Sequence, residues 1–185
     1  VQGDQYAALY SETVTVQLEN DFLPFLYPNQ YVNFTPDSKA SQLALSLIDE
    51  DTVDVDALQQ IYDYVVSNLT YDYEKADTVT TGYLPDVDET LKTGTGICFD
   101  YAALTTAMLR SCDIPCKLQI GYAGDIKHAW IDVYIRSKGW VNQAVSFKGD
   151  TWTLMDPTFD SNSDDKEAIQ DYIGDESNYT VQFTR

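Results

Sequence analysis

The chain has 185 residues, 11 basic against 30 acidic, which gives a net charge of −19 and an isoelectric point near 4.1. Such a surface repels phosphate backbones and excludes nucleic acid as a partner. No stretch approaches the roughly 20 apolar residues of a spanning helix, so membrane association would need an anchor outside this sequence.

The apolar share of 44% and aromatic share of 13% are sufficient for a packed core, expected as a single domain over 1–185 with its centre at about 55–160. In chain order, Ser11 to Leu18 alternates polar and apolar residues and reads as extended, and 20–33, rich in Pro, Asn and aromatics, reads as an irregular loop. Ser38 to Ile48 reads as a helix whose apolar face is Ala40, Leu43, Leu45 and Leu47. Val55 to Leu69 is the clearest amphipathic helix, with Leu58, Ile61, Tyr62, Val65 and Leu69 in one stripe and Asp51, Asp54 and Asp56 at its start. Residues 74–96 read as loop with a short helix near Val87 to Leu91.

The run Ile97 to Arg110 is apolar almost all round, as a buried central helix must be. Strand patterns follow at Lys117 to Tyr122, His128 to Ile135, Trp140 to Phe147 and Thr151 to Met155, with glycine turns between them. A polar acidic stretch, a short helix around Ala168 to Ile173 and a final strand from Tyr179 to Phe183 complete the chain. Helices first and an antiparallel sheet afterwards define an α+β domain.

Three short words carry chemistry. G-I-C places Cys98 after Thr93-Gly94-Thr95-Gly96 and at the start of the central helix, where free N–H groups and the positive dipole end favour thiolate. H-A-W places His128, the only histidine in the chain, in a strand; its imidazole can accept a thiol proton and return it to a leaving group. D-P-T places Asp156 at a strand end, where a carboxylate can orient an imidazole. The other cysteines, Cys112 and Cys116, are separated by the C-D-I-P-C turn and are either a small disulfide or two buried apolar residues. One histidine and no C-x-x-C leave too few zinc ligands, and no D-x-D-x-D-G calcium loop is present, so neither metal nor cofactor is expected.

Together these words resemble the transglutaminase-like superfamily, whose fold is similar to that of papain-type cysteine proteases. The resemblance runs from about Leu58 to Phe159 through G-I-C-F-D-Y-A-A-L, the D-I-P-C-K turn, H-A-W-I-D-V and W-T-L-M-D-P-T. It implies a papain-like core in which a buried helix carrying Cys98 packs on an antiparallel sheet carrying His128 and Asp156. It implies Cys98 as nucleophile, His128 as general base and acid, and Asp156 as orienter. Trp130 would wall the site or pack under it, Tyr101 and Asp100 match positions after the cysteine, and Tyr71 is either near the cleft or a packing residue. Asp113 stands where the family has glycine, and Lys117 where it has arginine.

The expected activity is cysteine-dependent acyl transfer on a peptide or carboxamide, with hydrolysis favoured over crosslinking. The competing reading is a non-catalytic binding or scaffold module on the same fold. The partner is a peptide or protein substrate, and the acidic surface would draw cationic ones. Absence of an initiator Met at Val1 suits a chain trimmed of a targeting peptide, and acidity, tyrosine richness and few cysteines point to an extracellular or cell-surface location, with the cytoplasm as the alternative. Sequence leaves the oligomeric state open.

Overall fold

The computed structural model describes residues 10, 12–49, 51–148, 151–154 and 179–185, the backbone alone for 143–148 and 151–154. Five helices precede a sheet: α1 (Lys39–Leu47), α2 (Asp54–Asn68), α3 (Tyr73–Thr78), α4 (Val87–Thr93) and α5 (Cys98–Ser111). The strands are β1 (Thr70–Tyr71), β2 (Thr95–Gly96), β3 (Cys116–Ala123), β4 (Ile126–Ile135), β5 (Gly139–Lys148), β6 (Thr151–Leu154) and β7 (Tyr179–Thr184). The long strands form one antiparallel sheet in the order β6-β5-β4-β3-β7, so the α+β class holds.

Helix α5 is the axis of the molecule because its sequence has no polar side to turn outward. Every residue from Asp100 to Arg110 is buried. Leu104, Met108 and Leu109 are fully enclosed, and each such side chain contributes about 2 kcal/mol of burial. One face of the sheet, with Leu118, Ala129, Ile131 and Val133, joins α5 in the core together with Leu58, Ile61 and Val65 of α2. The expected α2 stripe is therefore the buried one. In α1 the expected face holds at Ala40, which is buried, and at Leu43 and Leu47, which are packed against the core, but not at Leu45, which is 54% exposed. Ser41 and Ala44 are buried in its place, because small residues let α1 approach α5 closely, where Ser111 donates to Ser41 at 2.8 Å.

Because side chains alternate along a strand, Gln119, His128, Trp130 and Asp132 occupy the opposite face, where they too are buried. One end of this face is covered by the segment 20–34. Phe22 packs 4.5 Å from Tyr134, Phe25 packs 5.5 Å from Trp140, and the Lys117 ammonium lies 3.7 Å from the Trp140 ring centre. The lysine that replaces the family arginine thus serves as a cation over aromatic rings.

Helix α5 ends in a Schellman turn: Asp113 N–H donates to Arg110 O at 3.1 Å and Ile114 N–H to Leu109 O at 3.1 Å. Asp113 has φ +57°, the left-handed region. That geometry explains both the family glycine and its replacement by Asp, one of the few residues that tolerate it. Cys112 and Cys116 are free thiols, as is Cys98; Cys116 is the small buried residue, within 3.5 Å of the Thr106 hydroxyl.

Arg110 is buried and bonded to backbone carbonyls. Its guanidinium donates to Cys116 O at 3.0 and 2.8 Å, to Tyr27 O at 2.8 Å and to Arg185 O at 2.9 Å. Helix, first long strand, N-terminal segment and last strand are joined at this point.

The alternating stretch from Glu12 to Leu18 pairs with no described strand and is exposed throughout. The expected helix at Ala168 to Ile173 lies outside the described residues. Among the described residues, no helix is long and apolar enough to cross a membrane.

Candidate active site

Cys98 is the first residue of α5, preceded by extended Ile97. Its position is set by a feature that sequence periodicity does not reveal, a two-residue parallel pairing of β1 with β2. Tyr71 pairs with Gly96, Thr70 N–H donates to Gly94 O at 2.8 Å and Asp72 N–H to Gly96 O at 2.9 Å. This clamp delivers the chain into α5 and brings Tyr71 beside it. The helix itself is capped by Asp100, whose carboxylate accepts from the Ile97 N–H at 2.8 Å.

The Cys98 sulfur meets backbone donors from two elements, the N–H of Ala129 in β4 and those of Phe99 and Cys98 itself. The thiol is nonetheless held above its ordinary value, because burial, helped by the Asp100 carboxylate, outweighs those donors. The helix start alone predicts a favoured thiolate; enclosure reverses that balance.

His128 adjoins Ala129 in β4 and is 8% exposed. Burial pushes its imidazole down to about 4. Near neutral pH the Cys98 thiol and the His128 imidazole are therefore both neutral.

Trp130 lies behind His128, 1% exposed, with ring centres 6.2 Å apart and planes 21° from parallel; Tyr179 meets its other side at 5.2 Å. It supports the histidine rather than facing solvent. Tyr101 is equally buried and backs Tyr71, with ring centres 6.4 Å apart. Tyr71 is half-buried and is the tyrosine that reaches Cys98: the Cys98 N–H faces its phenol oxygen, while burial raises that phenol above its ordinary value. Asp156 lies outside the described residues.

Two neighbours were not legible as site components. Lys75 and Tyr83, on α3 and the loop before α4, converge on Asp100. The loop reading of 74–96 hid them, although Asp72 is a helix-capping residue type and accepts from Lys75 N–H at 2.9 Å.

Comparison with known proteins gives a consistent family. The model of the transglutaminase-like superfamily matches residues 41–157. The UPF0252 protein MJ1282 of Methanocaldococcus jannaschii is 36% identical over 62 residues, which are 31% of this chain and 18% of that protein. A solved protein of Cytophaga hutchinsonii, classed provisionally as a cysteine protease, superposes with a TM-score of 0.54 at 26% identity, over 67% of this chain and 41% of that one. The periplasmic domain of TgpA from Pseudomonas aeruginosa gives a TM-score of 0.47 at 19% identity, over 60% and 43%. The chain spans less than half the length of each of these relatives.

Proposed function

Since the chain belongs to the transglutaminase-like superfamily, we propose that it is a cysteine-dependent acyl-transfer enzyme acting on peptide or carboxamide substrates. The observation that carries this reading is the convergence at one sulfur. Cys98 opens a buried helix, backbone N–H groups of Ala129, Phe99 and Cys98 favour its thiolate, and the chain's single histidine is the residue before Ala129.

In the proposed reaction the Cys98 proton passes to the His128 imidazole as sulfur bonds to the substrate carbonyl carbon. N–H groups at the start of α5 would receive the oxyanion. His128 then returns the proton to the departing amine as the C–N bond breaks, leaving an S-acyl enzyme. Water attacks the acyl carbon as His128 takes one of its protons, the C–S bond breaks, and His128 passes that proton to the sulfur, releasing the acid and restoring the thiol. Asp156 would orient the imidazole.

Hydrolysis is the favoured outcome, and the strongly acidic surface suits cationic peptides. The acidic, tyrosine-rich and cysteine-poor composition suits a location at the cell surface or exterior. A neutral thiol and a neutral imidazole would equally suit a non-catalytic module, and turnover separates the two.

The protein is incubated with a carboxamide and peptide panel, with and without an added primary amine, and products and intact mass are followed. Turnover with an acyl adduct on Cys98, reduced at least about 10³-fold in Cys98→Ala and about 10²-fold or more in His128→Gln, is expected. Turnover that survives Cys98→Ala removes the proposal, and amide rather than acid products would reassign it to crosslinking.

A further inference from the structure

Three polar side chains outside the proposed triad meet beside the nucleophile position. Asp100 is fully buried and accepts from the Ile97 N–H at 2.8 Å, from Lys75 Nζ at 2.7 Å and from the Tyr83 hydroxyl. Lys75 also donates to the Tyr83 oxygen at 2.6 Å and lies 4.5 Å from the centre of that ring. Burial by itself would lower the Lys75 ammonium, but the bonds to Asp100 and Tyr83 outweigh it and hold it above the ordinary lysine value. Room for the carboxylate comes from Gly96, where an added Cβ would stand 2.7 Å from the Asp100 Cβ.

Helix capping does not require this arrangement. The bond to Ile97 alone completes the cap, whereas Lys75 comes from a different helix, 25 positions away. Electrostatics supplies the reason. Asp100 places a negative charge in the first turn of α5, two residues from Cys98, where it opposes the thiolate that the helix start favours. The titratable groups beside Cys98 are the Tyr71 phenol from β1 and the Asp100 carboxylate from its own helix, neither of them a cation. Lys75 brings a cation to that set.

We propose that Lys75 is a positioning residue that balances the Asp100 charge and, with Tyr83, fixes the first turn of α5, thereby setting the proton affinity of Cys98. This rests on Cys98 being the nucleophile. It assigns Lys75 and Asp100 opposite effects on one thiol, which a purely structural clamp would not produce.

The test measures alkylation of Cys98 by iodoacetamide as a function of pH, resolved from Cys112 and Cys116 by peptide mass spectrometry. Lys75→Met, Asp100→Asn and the double variant are compared with the wild type. Lys75→Met is expected to move the alkylation midpoint up by roughly half to one pH unit, and Asp100→Asn to move it down by a similar amount. The double variant, with neither charge, should return close to wild type, and Lys75→Arg should rescue. Single variants that shift in the same direction, or do not shift while melting as wild type, overturn the proposal. If Lys75→Met does not fold, Asp100→Asn and the double variant decide, because an unshifted Asp100→Asn is already contrary. Alkylation is read without substrate, so absent turnover would defeat the enzyme reading alone, whereas turnover without opposed shifts would defeat this one alone.

Discussion

His128 shows how one residue links stability to chemistry. Its folded imidazole titrates near 4 against about 6.5 in an unfolded chain. The fold therefore favours the neutral ring. The stability this contributes is present in full above about pH 6.5 and is lost as pH falls through that window toward 4, at most about 3 kcal/mol. In His128→Gln, urea midpoints measured from pH 7 to 4 should fall less steeply than in wild type. Parallel curves would mean that the imidazole is not held neutral by burial. Cys98 and His128 were both legible from their neighbouring residues, since reactive residue types in G-I-C and H-A-W are compact signals. Lys75 was not, because its partner is 25 positions away and nothing in a linear pattern pairs a solvated-looking lysine with a buried aspartate.

At the scale of elements, the strand pairing of β7 depends on an absent side chain. A Cβ at Gly121 would lie 1.9 Å from the Thr180 carbonyl oxygen and 3.1 Å from the Trp130 ring. The register shifts at that point, with Ile120 opposite Phe183 and Gly121 opposite Val181, so Gln182 is an extra residue on β7. Gly121→Ala is expected to push β7 off β3 and cost about 2 kcal/mol or more, read as a lower urea midpoint and faster amide exchange at Leu118, which bonds to Arg185. Unchanged exchange there would show that the strand accommodates the methyl. Long elements such as α2, α5 and β3 to β5 were readable because periodicity accumulates over many residues. The two-residue β1 and β2 and the six-residue α3 are too short to carry a period, and the site clamp is built from them. Within α1 only Leu45 was misread, because closeness of approach to α5 selects the small Ser41 and Ala44 beside it rather than another leucine.

For the whole molecule, a charge of −19 sets acidic groups against one another in the compact state. Among the described residues three ion pairs offset this, and the shortest, Arg136 with Asp54 at 2.5 Å, fastens the β4–β5 turn to the start of α2. Melting temperature should accordingly rise as sodium chloride is raised from about 10 mM to about 0.3 M, where screening falls within a few ångströms. A decrease would mean that attractive pairs dominate. Architecture at this scale was legible in outline, as helices followed by an antiparallel sheet. The joining of distant segments was not, because the acceptors around Arg110 are backbone carbonyls and any residue type supplies them.

That junction has a consequence for how the protein comes into being. Arg110 needs carbonyls from residues 27, 116 and 185, contributed by segments far apart in sequence. During synthesis residue 185 emerges 75 positions after Arg110, so the central helix is made well before its guanidinium can be fully satisfied, and the interim species holds a desolvated cation short of acceptors. Assembly is thus postponed until β7 is available, a high-contact-order route that favours all-or-none closure over stepwise growth from the ribosome.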